Sequence, residues 1–111
     1  MSVVERDRVV SEMLRDELRR CREMAAELER VAAQLPRGSL GLRKKRQGAH
    51  EYTYHCLKYR EGGKVVSRHV ATDDVEALGK RLEERRRYEQ EIRQLRKRIS
   101  YLEKLLGVGG P

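Results

Sequence analysis

Four consecutive basic residues are the group in this chain most able to do chemistry. The run Arg43-Lys44-Lys45-Arg46 lies in a central stretch, residues 36–70, that holds nine Lys or Arg and two Glu. Clustered guanidinium and ammonium groups bind phosphate oxygens, so the run indicates contact with a nucleic-acid backbone. The alternative is an edge strand protected by charge, for which one or two Lys would suffice. The candidate nucleic-acid contacts are Arg43, Lys44, Lys45, Arg46, Lys58, Lys64 and Arg68.

The positive charge of the chain is localised in this central stretch. The formal net charge is +8, yet residues 1–35 hold seven basic and eight acidic side chains, and residues 71–111 hold ten and eight. A basic middle between two nearly neutral arms is typical of a protein that binds a polyanion.

Tyrosines, histidines and a cysteine surround the basic run. Tyr52, Tyr54 and Tyr59 could stack on bases. The chain has no Phe or Trp, however, so a core role is expected for Tyr52 and Tyr54, and the role of Tyr59 is left open. The spacing of the three His and of Cys56 matches no zinc motif, so we expect no metal and no cofactor. Cys21 and Cys56 are expected to be free thiols.

No sequence motif points to catalysis. The stretch Gly38-Ser39-Leu40-Gly41 lacks the Lys and the following helix of a phosphate-binding loop. Carboxylates occur mainly among Arg and Lys on helical segments, where intrahelical pairing explains them. We therefore expect a protein that is not an enzyme.

The helices and strands that position these residues can be predicted from the periodicity of apolar residues and from the positions of Gly and Pro. One domain over residues 1–111 is expected, with a helix over 5–35, a three-stranded sheet over 39–70, a helix over 72–106 and a flexible tail over 107–111. Apolar or small residues recur in steps of four and three along both helices, the pattern of a coiled-coil seam. Tyr, Thr and Val favour strands in the middle, with turns at Gln47-Gly48-Ala49 and Glu61-Gly62-Gly63.

The two helical seams can be aligned as an antiparallel hairpin. In the predicted register Leu28 faces Leu82, Leu18 faces Ile92 and Leu14 faces Leu95. The polar residues 85–89 then lie opposite the small residues of the first helix. A monomer is favoured, because one register satisfies both seams. Self-association through residues beside the seams, such as Met13 and Met24, stays open.

The predicted faces of the sheet depend on the turn length, which the sequence leaves open between two and three residues. One parity collects the mostly apolar set Leu40, Leu42, Tyr52, Tyr54, Cys56, Val66 and Val70, and this face is expected to pack on the helices. The other parity collects Arg43, Lys45, Thr53, His55, Tyr59, Ser67 and His69, a polar and basic face suited to phosphates and base edges.

The fold expected from these patterns is α+β, a small three-stranded antiparallel sheet inserted at the tip of a long antiparallel helical (coiled-coil) hairpin. The N-terminal residues lack the apolar region of a signal peptide, and no apolar run approaches the roughly 20 residues of a membrane span. A cytoplasmic protein without a membrane partner is expected.

With its helix, G-S-L strand start, Tyr-rich strand, R-E-G-G-K hairpin and trailing helix, the chain resembles a group of small uncharacterised bacterial proteins. The middle is also similar to the arm-type DNA-binding domain of tyrosine recombinases. That module has a basic first strand, an aromatic second strand and a Gly-Lys turn into the third, and its sheet enters the major groove. The resemblance implies contacts from Arg43, Lys45, Thr53, Lys58, Lys64 and Arg68. The Trp usual in the second strand is lacking here, and we expect no catalytic recombinase domain to follow.

Together these features predict a nucleic-acid-binding protein that uses its basic sheet, with DNA slightly favoured over RNA. The alternative is a protein-interaction adaptor, or a mobile-element accessory protein, whose helical stalk meets a protein partner. In that case nucleic acid plays no role.

Overall fold

The computed structural model describes residues 7–108, which form two helices and three strands. In chain order these are α1 (Arg8–Ala33), β1 (Ser39–Gln47), β2 (His50–Glu61), β3 (Lys64–Val70) and α2 (Val75–Leu106), with a 3-10 turn at Thr72–Asp74. The predicted α+β class, with a three-stranded antiparallel sheet between two long helices, is confirmed. Residues 5–6 of the predicted first helix and 109–111 of the predicted tail lie outside the described residues.

The chain forms two compact units. The sheet unit is the continuous stretch Gln34–Arg86. The helical unit combines the chain up to Ala33 with the chain from Arg87 onward. The N-terminal turns of α2 therefore belong to the sheet unit, and the rest of that helix belongs to the helical unit.

Both helices have defined ends. Asp7 caps α1, because its Oδ1 accepts hydrogen bonds from the backbone N–H groups of Val9 and Val10 at 3.0 and 3.1 Å. At the end of α2, Gly107 has a φ of 66° and its N–H donates to the carbonyl of Lys104. The N–H of Val108 donates to the carbonyl of Glu103, which completes a Schellman motif. The second helix therefore ends at Leu106, the C-terminal bound that the sequence predicted.

The three strands are joined by two tight turns. Gln47 pairs with His50, and Glu61 pairs with Lys64, so each loop contains two residues. Gly48 has a φ of 63° and precedes Ala49, which has no positive φ, as in a type II′ turn. Gly62 and Gly63 have φ values of 56° and 79°, as in a type I′ turn. The turn length that the sequence left open is therefore two residues.

The sheet unit has its own hydrophobic core. Leu57, Val70 and Leu82 are buried together. Leu40, Tyr59, Val75 and Leu78 are partly buried against them. Strand residues and residues from the first turns of α2 therefore share this cluster, so α2 covers part of one side of the sheet.

In the helical unit, α1 and α2 run antiparallel. Leu18, Cys21, Leu102 and Leu106 form its buried cluster, with Leu14, Leu95 and Ile99 packed against them. Ion pairs cross between the helices from Glu29 to Arg96 and from Arg22 to Glu103, the latter at 3.1 Å.

The predicted register of the two helices is wrong. Leu18 was expected to face Ile92, but it is buried with Leu102 and Leu106, which lie about three and about four turns further along α2. Leu82 was expected to face Leu28, but it packs in the core of the sheet unit. The physical reason is that the first apolar turns of α2 cover the sheet. The helical pairing therefore uses residues closer to the C-terminus.

Candidate functional site

The strand register divides the sheet into two faces. Side chains alternate between faces along a strand, and Cα partners on neighbouring strands share a face. Arg43 pairs with Tyr54, Lys45 pairs with Tyr52, and Lys58 pairs with Ser67. The face defined by Arg43, Lys45, Tyr52, Tyr54, Ser67 and His69 is called the aromatic face, and it continues along β2 to Lys58 and Arg60.

The predicted face assignment of β2 is wrong. Tyr52, Tyr54 and Cys56 were expected on the face that packs on the helices, but they lie on the side of Arg43, Lys45 and His69. On the packed side, β2 carries Leu57 and Tyr59, which belong to the sheet core, and also Glu51, Thr53, His55 and Glu61. The predicted grouping corresponds to three-residue turns, whereas the observed turns contain two residues. A shift of one residue in the strand pairing moves every side chain of a strand to the other face.

The rings of the aromatic face contact one another. The centroids of Tyr52 and Tyr54 lie 6.5 Å apart, with ring planes inclined by 49°. Tyr54 stacks on the imidazole of His69 on β3, with centroids 5.5 Å apart and planes inclined by 23°. Tyr52 is exposed, with 43% of its surface accessible. The six residues that define the face line a shallow depression of about 350 Å³.

The two faces of the sheet differ in charge. Among the residues of β1, β2 and β3, the aromatic face carries Arg43, Lys45, Lys58 and Arg60 and no Asp or Glu. The packed face carries four Lys or Arg and also Glu51 and Glu61. Lys44 on that face lies 3.8 Å from the carboxylate of Glu51. The aromatic face therefore has the stronger positive potential.

The structure separates the seven predicted contact residues. Arg43, Lys45 and Lys58 belong to the aromatic face, whereas Lys44, Arg46, Lys64 and Arg68 belong to the packed face. Arg60 was not among the predicted contacts, and Tyr52 and Tyr54 were expected in the core, whereas Tyr52 is exposed and Tyr54 is half-buried. The paired glycines of the second turn, which favour a two-residue type I′ turn, were the signal that could have fixed the register of β2 against β3.

The His and Cys groups of the sheet do not converge. Cys56 is the Cα partner of His69, and both lie on the same face as His50, while His55 lies on the other face. The sequence pattern had predicted His69 on the same face as His55, and the strand register shows that this was wrong. Among residues 7–108, no group of three or more His, Cys, Asp or Glu is arranged to hold a metal ion.

The two cysteines are free and buried. In the helical unit, burial raises the pKa of the Cys21 thiol, and the Glu17 carboxylate 3.5 Å away adds to this effect. Thiols with a raised pKa are poor nucleophiles at neutral pH, so the environment of Cys21 is that of a packing residue.

A second concave surface lies within the helical unit. This groove, of about 960 Å³, is lined by apolar side chains that include Met24, Leu28, Leu95 and Tyr101. Met24 and Tyr101 are 55% and 62% exposed. Arg87, Lys97 and Arg98 also line the groove, together with a single acidic residue, Glu91.

The chain belongs to a protein family defined as a domain of unknown function (DUF6788), whose model matches residues 11–80. The match covers most of α1, the whole sheet and the start of α2. Comparisons with curated proteins and with solved structures found no match. Neither helix of the described residues 7–108 is apolar enough over a sufficient length to cross a membrane.

Proposed function

We propose that the protein binds nucleic acid through the aromatic face of its sheet. The observation that carries this proposal is a sheet face on which four basic side chains, two tyrosines and two histidines occur together without an acidic residue among the strands. The core of the sheet unit occupies part of the other face. The basic residues of that face are exposed as well, but Glu51 and Glu61 offset part of their charge, so the aromatic face is the more strongly positive surface.

Each type of side chain on this face matches a part of a nucleic acid. Arg43, Lys45, Lys58 and Arg60 would bind phosphate oxygens, which supplies most of the affinity. The tyrosine rings would contact base faces. Ser67 and His69 add groups that can donate to or accept from base edges and sugars. DNA is placed ahead of RNA because the middle of the chain is similar to the arm-type domain of tyrosine recombinases.

The similarity to the arm-type domain implies six individual contact residues, which can be compared with the two faces of the sheet. Of the contacts it implies, Arg43, Lys45 and Lys58 lie on the aromatic face, whereas Thr53, Lys64 and Arg68 lie on the packed face. A single sheet face can therefore supply only the first three. We accordingly take the aromatic face, and not the complete set of implied contacts, as the proposed binding surface.

Alternate residues of β1 provide a matched test. The variant Arg43→Gln/Lys45→Gln removes two charges from the aromatic face, and Lys44→Gln/Arg46→Gln removes two from the packed face of the same strand. Labelled DNA and RNA oligonucleotides should be titrated with each variant near 0.1 M salt. We expect the first variant to lose about tenfold or more in affinity, because two phosphate contacts are removed, and the second to lose much less.

Two results would contradict this proposal. Equal losses from both variants would mean that net charge, and not the aromatic face, attracts the nucleic acid. A wild-type protein that binds no DNA or RNA more tightly than about 100 μM at low salt, the level of non-specific association, would exclude nucleic-acid binding as its function.

A second candidate function is favoured by the groove of the helical unit. An exposed apolar groove flanked by basic residues suits an amphipathic helix with acidic flanks. In this alternative the protein is an adaptor and the basic sheet has no nucleic-acid role. A variant with Met24→Glu and Tyr101→Glu should then lose its protein partner, whereas Arg43→Gln/Lys45→Gln should retain it.

A further inference from the structure

We propose that the aromatic face selects unpaired nucleic-acid strands, with Tyr52 as the principal stacking platform. This inference rests on the proposed function, and it narrows the ligand from nucleic acid in general to single-stranded DNA or RNA. It is carried by the exposure of Tyr52, by the spacing of the rings and by the basic residue paired with each tyrosine.

The exposed ring of Tyr52 requires a base whose flat surface is accessible. In a duplex, both surfaces of each interior base are covered by neighbouring bases, so a protein meets only base edges in the grooves. A single strand can turn its bases outward and stack them on aromatic side chains. A tyrosine that lies on an open sheet face with 43% of its surface accessible is therefore better suited to an unpaired base than to a groove.

The spacing of the rings also favours a strand with separated bases. The centroids of Tyr52 and Tyr54 are 6.5 Å apart, about twice the 3.4 Å rise per nucleotide along one strand of a duplex. Bases that contact both rings would have to be drawn apart, which base pairing along a regular helix does not permit. Tyr54 is half-buried and already stacked on His69, so Tyr52 offers the larger free surface.

Each ring has a basic partner on the neighbouring strand. Lys45 is the Cα partner of Tyr52, and Arg43 is the Cα partner of Tyr54. Two pairs of a basic and an aromatic residue thus follow one another along the strands, separated by one residue on each strand. A backbone that runs along β1 would meet Lys45 and Arg43 while its bases lie over β2. This arrangement combines an electrostatic track with a stacking platform, as in other surfaces that bind single strands.

The concave shape of the face supports the same ligand. Arg43, Lys45, Tyr52, Tyr54, Ser67 and His69 line a depression of about 350 Å³. A volume of this size is at the low end of pockets that hold small molecules, and it is open to a base that is turned out of a strand. A protein element that reads the major groove instead projects its side chains outward into the groove.

The test compares one mixed-sequence oligonucleotide as a single strand of DNA, as the matching RNA strand and as a DNA duplex. The variants are Tyr52→Leu, which removes the ring, and Tyr52→Phe, which keeps it. Tyr101→Leu is the matched control, since Tyr101 is 62% exposed on α2 in the helical unit. Circular dichroism spectra should show that all three variants fold like the wild type.

We expect the wild type to bind single strands about tenfold or more tightly than the duplex. Tyr52→Leu should weaken single-strand binding about tenfold, since stacking on one aromatic ring contributes on this scale, while Tyr52→Phe and Tyr101→Leu should retain the affinity. The chain has no Trp and five Tyr, so single strands should also quench its tyrosine fluorescence, and less so in Tyr52→Leu.

The outcomes separate this inference from the function on which it rests. Duplex binding equal to or tighter than single-strand binding, or an unchanged single-strand affinity in Tyr52→Leu, would overturn the inference. If binding in that case still depended on Arg43 and Lys45, nucleic-acid binding by the aromatic face would stand. If no form of DNA or RNA bound, both would fall.

Discussion

The guanidinium of Arg85 on α2 donates a hydrogen bond of 2.6 Å to the backbone carbonyl oxygen of Leu35. The next residue, Arg86, donates to the carbonyl of Gly38 at 3.3 Å. Both carbonyls belong to the segment that connects α1 to β1. Gly38 has a φ of 122°, and a Cβ at this position would overlap the carbonyl oxygen of Lys58, so the connector can take this path only with glycine. Consecutive arginines therefore hold a connector of fixed shape within the sheet unit.

Loss of the Arg85 hydrogen bond should destabilise the protein. Arg85→Met retains a good helix former but leaves the half-buried Leu35 carbonyl without this donor. We expect the free energy of unfolding to fall by about 1.5–3 kcal/mol, the range for hydrogen bonds that involve a charged group. Urea denaturation measures the change. Arg81→Met, at an exposed position of the same helix, is the control, and an equal effect there would show that the loss of charge is responsible.

Because α2 packs on the sheet through Leu82, we expect Leu82→Ala to destabilise the protein strongly. Leu82 is 4% exposed and is buried with Leu57 and Val70. Truncation should leave a cavity and lower the free energy of unfolding by about 2–5 kcal/mol. Leu42→Ala should cost less than about 1 kcal/mol, because Leu42 is 66% exposed on β1. Comparable losses at the two positions in urea denaturation would be incompatible with the sheet core described above.

The salt dependence of binding should report the number of phosphate contacts. If Arg43, Lys45, Lys58 and Arg60 each bind one phosphate of a single strand, log K against log salt should have a slope of about −3. Arg43→Gln/Lys45→Gln should reduce the magnitude of this slope by about 1.4, whereas Lys44→Gln/Arg46→Gln should leave it unchanged. Fluorescence anisotropy titrations at several salt concentrations give these slopes. An unaltered slope in the first variant would mean that Arg43 and Lys45 do not contact phosphates.

Glu17 should make stability depend on acid pH. Hydrogen bonds from Arg20 and then from Cys21 hold the pKa of the Glu17 carboxyl below its ordinary value of 4.5, and the positive charge of Arg98 acts in the same direction. The folded state thus binds this proton more weakly than the unfolded state does. The stabilisation is complete above pH 4.5 and is lost as pH falls below that value.

Melting temperatures measured between neutral and acid pH can test this dependence. Glu17→Gln should melt at a lower temperature than the wild type at neutral pH, and the difference should shrink as the medium becomes acidic. Glu23→Gln, at an exposed position of the same helix, serves as the control. A difference between Glu17→Gln and the wild type that stays constant with pH would assign the effect to packing instead of to ionisation.

We expect the His and Cys side chains of the sheet to bind no metal ion. Purified protein should contain no stoichiometric zinc, and a chelator should leave its melting temperature unchanged, because metal-dependent folds lose stability when the metal is removed. Elemental analysis before and after dialysis against chelator is the measurement. Stoichiometric zinc that disappears in Cys56→Ser would refute this expectation.

The elements of the fold could be predicted from the sequence because their signals are local. Pro36 marks the end of α1, Gly107 marks the end of α2, and pairs of turn residues separate runs rich in Tyr, Thr and Val. The side chains that share a face could not be predicted as reliably. The assignment of Tyr52 and Tyr54 depended on whether Gln47 belongs to the turn or to β1, a difference of one residue.

The surface against which the apolar side of each helix packs could not be predicted from the sequence pattern either. Val75, Leu78 and Leu82 have the spacing that a neighbouring helix requires, and the same spacing serves to cover a sheet. In the structure these residues cover the sheet, which moves the pairing of α1 to residues such as Leu102. Periodicity identifies which side of a helix is buried, but it does not identify the surface that buries it.

The division of the chain into one continuous and one discontinuous unit has a consequence for the order of folding. The sheet unit joins neighbouring strands by two-residue turns, so its contacts close short loops. The helical unit must instead bring together residues such as Arg22 and Glu103, which are 81 positions apart. We expect the sheet unit to form first, since prior folding of residues 34–86 shortens the loop that the helices have to close. During synthesis on the ribosome, α1 has no helix to pack against until residues 87–106 have been made. Leu18 and Cys21 would stay exposed to solvent until then.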